Sequence, residues 1–160
     1  MKQKIKMLAL LCVFTIIFGS TQFVVASSIK QEKSSDSEIL SIIKGFSKEN
    51  DSIEIDKIID LYGYDDSITA KCYLLSPQGY AVFDNSNMLV EASFDDGKVF
   101  HSVKSFSNEK LYYAGPFNFY VNDSNNFQNI VNEEKASQSV FKSLNVDYYE
   151  KSQKTDSRKV

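Results

Sequence analysis

The sequence predicts an α+β fold: an antiparallel β-meander packed against an N-terminal helix, with a short C-terminal helix. Three observations point there. Between residues 67 and 103, short apolar runs are broken by the turn-forming knots SPQG, DNSN and DDG. Ahead of them Ile39, Leu40, Ile42, Ile43 and Phe46 recur at helical spacing. Behind them EEKASQSVFKSL puts Ala136, Val140, Phe141 and Leu144 on one side of a helix. Strands in a run with helices at the ends argue for α+β rather than alternating βαβ units. An antiparallel sheet needs only one covered face, so the other is expected to be open to a partner.

The ends frame this domain. Lys2, Lys4 and Lys6 precede an apolar stretch over residues 7–18, shorter than the ~20 residues that span a bilayer. Val24 and Ala26 fit the small-residue pattern of a signal peptide, which places cleavage after Ala26. A lipoprotein reading at Cys12 is disfavoured by the bulky Leu10 and Leu11 before it. The expected division is signal peptide 1–26, flexible leader 27–37, a single domain 38–149 and a disordered charged tail 150–160. The expected location is extracellular, with no membrane association after cleavage. Loss of the three signal lysines leaves 15 basic against 21 acidic residues, a net charge of −6. That balance argues against nucleic acid and anionic membranes and towards a basic partner or simple solubility, and a protein partner is expected. Only Cys72 survives cleavage, so no internal disulfide is available, a usage that fits bacterial export.

Each element has its own signature. Ser35 or Ser37, with Asp36 and Glu38, suits the start of the first helix, and Gly45 weakens it slightly. IEIDKIIDLY, residues 53–62, fits both periods; the alternation of Ile53 and Ile55 favours a strand. SITAKCYLL alternates Ile68, Ala70, Cys72 and Leu74 against Thr69, Lys71 and Tyr73. In SPQG, Pro77 presets one turn dihedral and Gly79 permits a positive one. YAVFD, MLVEASF and KVFHSV are read as further strands, with Asp96 and Gly97 as a hairpin turn between the last two. LYYAGPFNFYV crosses a Gly-Pro break, and NDSNN turns it back into FQNIV.

Reactive chemistry is sparse. Cys72 and His101 are the candidates for a thiol–imidazole pair, but Cys72 lies on the apolar phase of a strand, where a free cysteine is usually a buried hydrophobe. One histidine and one cysteine do not build a zinc site. DNSN and NDSNN lack the spacing and closing glutamate of a calcium loop. No catalytic residue, metal site or cofactor is therefore expected. The aromatic excess, 12 Phe and 9 Tyr, is the most informative feature. Most of it suits core and sheet positions. In YYAGPFNFY, however, the Gly-Pro interruption can bring rings to the surface. Tyr112, Tyr113, Phe117, Phe119 and Tyr120 are accordingly the expected binding anchors.

Gly79, Tyr80, Val82, Asp84, Val90, Glu91, Ser93, Tyr112, Tyr113, Gly115 and Pro116 carry a further pattern. Across residues 67–120 the chain resembles the amino-terminal propeptide-like domain of exported bacterial papain-like cysteine peptidases of the streptopain type. Those domains share a Gly-Tyr-x-Val-x-Asp and Val-x-Glu-x-Ser strand pair, and some carry a later Tyr-Tyr-x-Gly-Pro segment. In that family a peptidase domain follows; here a charged tail follows, so no catalytic residue carries over. The resemblance implies a secreted, non-enzymatic binding module, an inhibitor or folding partner of a secreted cysteine peptidase. The alternatives are a small secreted enzyme built on carboxylates or on Cys72 and His101, and an envelope-associated structural protein.

Overall fold

A computed structural model of the chain describes residues 36–47, 52–124 and 126–156. The expected signal peptide, most of the leader and the last four residues lie outside them. The described elements run α1 (Asp36–Phe46), β1 (Glu54–Tyr62), β2 (Ile68–Ser76), β3 (Tyr80–Asp84), β4 (Leu89–Ser93), α2 (Lys98–Ser105), β5 (Leu111–Tyr113), β6 (Phe119–Asp123), β7 (Asn126–Asn129), β8 (Lys135–Ser137) and α3 (Gln138–Asp156).

The fold class is α+β, built on one curled, eight-stranded sheet in the order β4-β3-β2-β1-β5-β6-β7-β8. Two meanders grow outward from its middle. β1 to β4 run antiparallel to one edge, and β5 to β8 run antiparallel to the other. They join where Leu61 and Tyr62 pair in parallel with Leu111 and Tyr112. A parallel pair needs a crossover, because a tight turn reverses the chain. After β4 the chain must therefore travel from the sheet edge back to its centre, and α2 is that passage.

This corrects the expectation of a hairpin at Asp96 and Gly97 followed by a strand. Val99, Phe100 and Val103 are all buried and recur at the helical i, i+1, i+4 spacing. The run KVFHSV is too short for alternation to separate the two periods, and the need for a crossover selects the helix. Two further boundaries differ. Ala136 sits in β8, outside α3. α3 continues through Asp156, so residues 150–156 are helical where a disordered tail was expected.

Both faces of the sheet are covered over most of its area. The inner face buries Ile59, Leu61, Cys72, Leu74, Tyr80, Val82, Leu111, Tyr113 and Phe119 beneath α2. On the reverse face, α1 drives Ile39 and Ile43 against Tyr73, Leu75, Ala81 and Phe83. Towards the other edge, Phe141 of α3 closes over Tyr112, Tyr120 and Phe127. Among the described residues the large apolar side chains left exposed are Ile58 on β1, Tyr64 and Ile68 at the β1–β2 turn, Phe106 after α2, and Val140 and Leu144 on α3. The alternating period of the strands now reads as two cores rather than as core and solvent.

Two glycines make opposite tests of this architecture. Gly79 sits at φ +100°, and a Cβ there would meet the Ser93 carbonyl oxygen at 2.4 Å. Gly79→Ala should cost about 1–3 kcal/mol in urea unfolding, because both backbone angle and space forbid it. Gly45 lies in α1 with nothing within 4 Å of its would-be Cβ. Gly45→Ala should stabilise by about 0.5–1 kcal/mol in the same assay.

Candidate functional site

Four of the five aromatic residues expected as surface anchors fall in the interior, and the fifth is half-buried. Tyr113 and Phe119 have no exposed surface and belong to the inner core. Tyr112 and Tyr120 are buried on the reverse face, where Phe141 meets both rings and stacks on Phe127 at 4.0 Å. Phe117 is half-buried against the inner core. The physical reason is position in the sheet. β5 and β6 are interior strands, so their alternating rings enter one core or the other, and the Gly-Pro turn does not lift them out.

The thiol–imidazole pair does not form. Cys72 is fully buried, and burial, then the nearby Glu91 charge, pushes its thiol well up. His101 lies on the exposed side of α2, with Nε2 3.0 Å from Asp96 Oδ1. Among the described residues no three His, Cys, Asp or Glu side chains come close enough to hold a metal ion.

What the fold does assemble is a buried carboxylate. Glu91 is in the middle of β4, only 1% exposed, opposite Val82 on the inner face. Its Oε1 accepts the Tyr113 hydroxyl at 3.0 Å. Its Oε2 accepts the Phe117 amide at 3.1 Å and the Tyr80 hydroxyl at 3.5 Å. One side chain thus ties β4 to β3, to β5 and to the turn between β5 and β6. Burial pushes the Glu91 carboxyl up from 4.5 to about 7, against the downward pull of the bonds from Tyr113, Phe117 and Tyr80. A charged group in an apolar core is costly unless it is paired, and here only neutral donors answer it. The same burial raises the Tyr80 and Tyr113 hydroxyls, so both remain donors at neutral pH.

Three of the eleven positions that carry the resemblance meet at this centre. Tyr80, Glu91 and Tyr113 form it. Gly115, at φ +106°, leaves room for the Tyr148 ring, which a Cβ would meet at 2.7 Å. Asp84 folds the DNSN knot by accepting the Ser86 and Met88 amides at 2.8 and 2.9 Å. Ser93 donates to Asp95 at 2.7 Å. The matched positions are girders of the fold rather than reacting groups. Reading from residue types alone missed Glu91 because a lone acid in MLVEASF looks like a solvent-facing residue. Glu91, Ser93 and Asp95 share one alternating phase against Val90, Ala92 and Phe94, and nothing in that pattern records that the face carrying Glu91 and Ser93 is buried.

A second polar cluster reaches the surface. Lys110 Nζ and the Tyr112 hydroxyl both donate to Asp66 Oδ1 at 2.7 Å. The same ammonium lies 4.4 Å from the Tyr62 ring centroid. Those bonds, Lys110 first, hold the Asp66 carboxyl below its usual range. An open cleft of about 360 Å³ beside them is lined by Glu109, Lys110, Tyr112, Val121, Asn122 and Ser124. On the far side of the β1–β2 turn, Asn145 of α3 accepts the Tyr64 amide and donates to the Tyr113 carbonyl. Lys142 covers the Tyr64 ring at 4.9 Å. Val140 and Leu144, 50% and 44% exposed, run along the same helix one turn apart.

Two outcomes follow from the buried groups. The folded Glu91 binds its proton more tightly than the unfolded chain does, so its stabilising contribution is complete below pH 4.5 and lost by about pH 7. Relative to Glu91→Gln, the wild type should lose about 3 kcal/mol of unfolding free energy across that range and then level off. Urea unfolding at successive pH values reads this, and a constant difference would refute it. Cys72 should resist thiol reagents in the native state and react at the rate of unfolding; stopped-flow labelling checks it.

No family model, no curated protein and no solved structure matches the chain, so its function is argued from these residues.

Proposed function

We propose that this chain is a secreted, non-catalytic binding module of the propeptide type, which inhibits or assists the folding of a secreted papain-like cysteine peptidase. The observation that carries this reading is the convergence at Glu91. Two segments of the family pattern, one on β3 and β4 and the other on β5 and the turn after it, meet at one carboxylate. Residues that share a structural task form a more demanding pattern than scattered identities do. The module supplies no nucleophile. Cys72 is sealed in the core, and the chemistry of the module is therefore that of its surface.

The surface for a partner is the apolar strip around the β1–β2 turn and α3. Val140 and Leu144 stand one helical turn apart, and Tyr64 is bound to the same helix through Asn145. Exposed leucine, valine and tyrosine on a rigid support offer apolar area at small entropic cost. α3 itself is fixed by Phe141 and Tyr148 on either core.

The test uses the purified protein against the cysteine peptidase activity of its producer's culture medium. Added protein should suppress that activity stoichiometrically and retain the peptidase on an affinity column. The variant carrying both Val140→Ser and Leu144→Ser should bind at least about tenfold more weakly, a loss of about 1.4 kcal/mol. Folded protein that neither retains nor inhibits any peptidase would overturn the reading. Full inhibition by the double variant would move the contact elsewhere on the surface.

A further inference from the structure

The turn between β5 and β6 is a compact, self-contained unit. The Asn118 amide donates to the Gly115 carbonyl at 3.0 Å, and the Ala114 amide to the Asn118 carbonyl at 3.0 Å. The Asn118 side chain donates to the Pro116 carbonyl at 2.9 Å. All three bonds are internal. The hydrogen bond from this turn to the facing meander is the Phe117 amide on Glu91, 26 residues away in sequence, beside the packing of the Phe117 ring on the inner core. Phe117 itself sits at φ +64°, a conformation unfavourable for a bulky side chain, so the turn stores strain that release would relieve.

The carboxylate that holds it has no counter-ion. The titratable groups around it are Cys72 of β2, Tyr80 of β3, Tyr113 of β5 and Tyr148 of α3, with the acids Asp84 and Asp95 at the ends of β3 and β4. α2 contributes Val99, Phe100 and Val103 to the same core, while its His101 and Lys104 are exposed. An uncharged Glu91 is at home among these groups. An ionised one is held by neutral donors alone, and water becomes a competing solvent for it.

We propose that Glu91 is a proton-operated latch: protonated, it clamps the 115–118 turn against β4; ionised, it lets that turn open as a unit. The device is independent of which partner the protein binds. Opening gives Glu91 to water, where its carboxyl returns to an ordinary value. The opening equilibrium therefore rises tenfold per pH unit between the open and closed values, then flattens. With the closed carboxyl at about 7 and the open one at 4.5, the whole change is about 300-fold.

Hydrogen exchange followed by NMR on the purified protein from pH 4.5 to 8.5 tests this. After correction for intrinsic rates, protection of the Phe117 amide should fall about 300-fold up to pH 7 and stay level above it. It should also be lower at every pH than that of the Cys72 amide in the central ladder. In Glu91→Gln, protection at Phe117 should be high and independent of pH, since the amide oxygen still accepts. Protection that ignores pH in the wild type, an unchanged pH profile in Glu91→Gln, or exchange no faster than at Cys72 would each overturn the latch. Should the variant fail to fold, carbon-13 titration of the wild-type Glu91 carboxyl decides. Its midpoint must coincide with the pH at which Phe117 protection levels off, and a mismatch refutes the coupling.

Discussion

A single buried carboxylate sets the terms for this structure. A curled sheet whose two meanders pair in the ladder only through β1 and β5 is closed by side chains that span both. Glu91 is one of these, reaching from β4, at the outer end of one meander, to the first turn of the other. Hydrogen bonds to a charged acceptor are stronger than neutral ones, but removing the acceptor from water costs several kcal/mol. The raised carboxyl shows which effect wins: desolvation exceeds what the three donors return. Glu91 is accordingly a fastener whose strength depends on its proton, in a core whose other contacts are indifferent to pH.

The parallel contact explains most of the remaining architecture. It seats β5 beside β1, so the chain leaving β4 at the sheet edge passes β3, β2 and β1 to reach its place, and α2 lies over the inner face on that path. With α2 there, the inner face is closed. α1 and α3 then divide the reverse face between them, one over each meander. The aromatic excess fits this arrangement, because strands buried on both sides need large side chains at consecutive positions. Tyr112 and Tyr113 are adjacent in sequence, and one belongs to each core.

How legible this was in the sequence varied with the physics behind each element. α1 was readable because Ile39 and Ile43 repeat over enough turns to fix the period. The strands of the first meander were readable because turn residues mark their ends; Asn85 and Asn87 in DNSN, and Gly79, do local work that neighbours cannot change. α2 was not readable. KVFHSV is short, β-prone and preceded by a hairpin-like Asp-Gly, and only the tertiary demand for a crossover makes it helical. The split of EEKASQSVFKSL at Ser137 has the same origin: Ala136 pairs with Phe127 in the ladder, which no local pattern reveals. The aromatic anchors failed for a related reason. Exposure of a strand residue depends on what lies over the sheet, and the sequence of the strand carries no record of that.

The same reasoning separates what a resemblance can and cannot convey here. Gly79, Tyr80, Asp84, Glu91, Tyr113 and Gly115 are recognisable because each has a demanding internal task, a positive φ, a turn cap or a buried bond. Positions under such constraint define a module, and they face inward. Val140 and Leu144, by contrast, protrude from α3 and carry no such internal task. Their identities can change without disturbing Glu91 or the sheet. A frame of this build can therefore be kept while the exposed side chains of α3 change. One link between frame and surface is α3, anchored at Asn145 to the Tyr113 carbonyl beside the Glu91 centre and presenting Leu144 from the adjacent position.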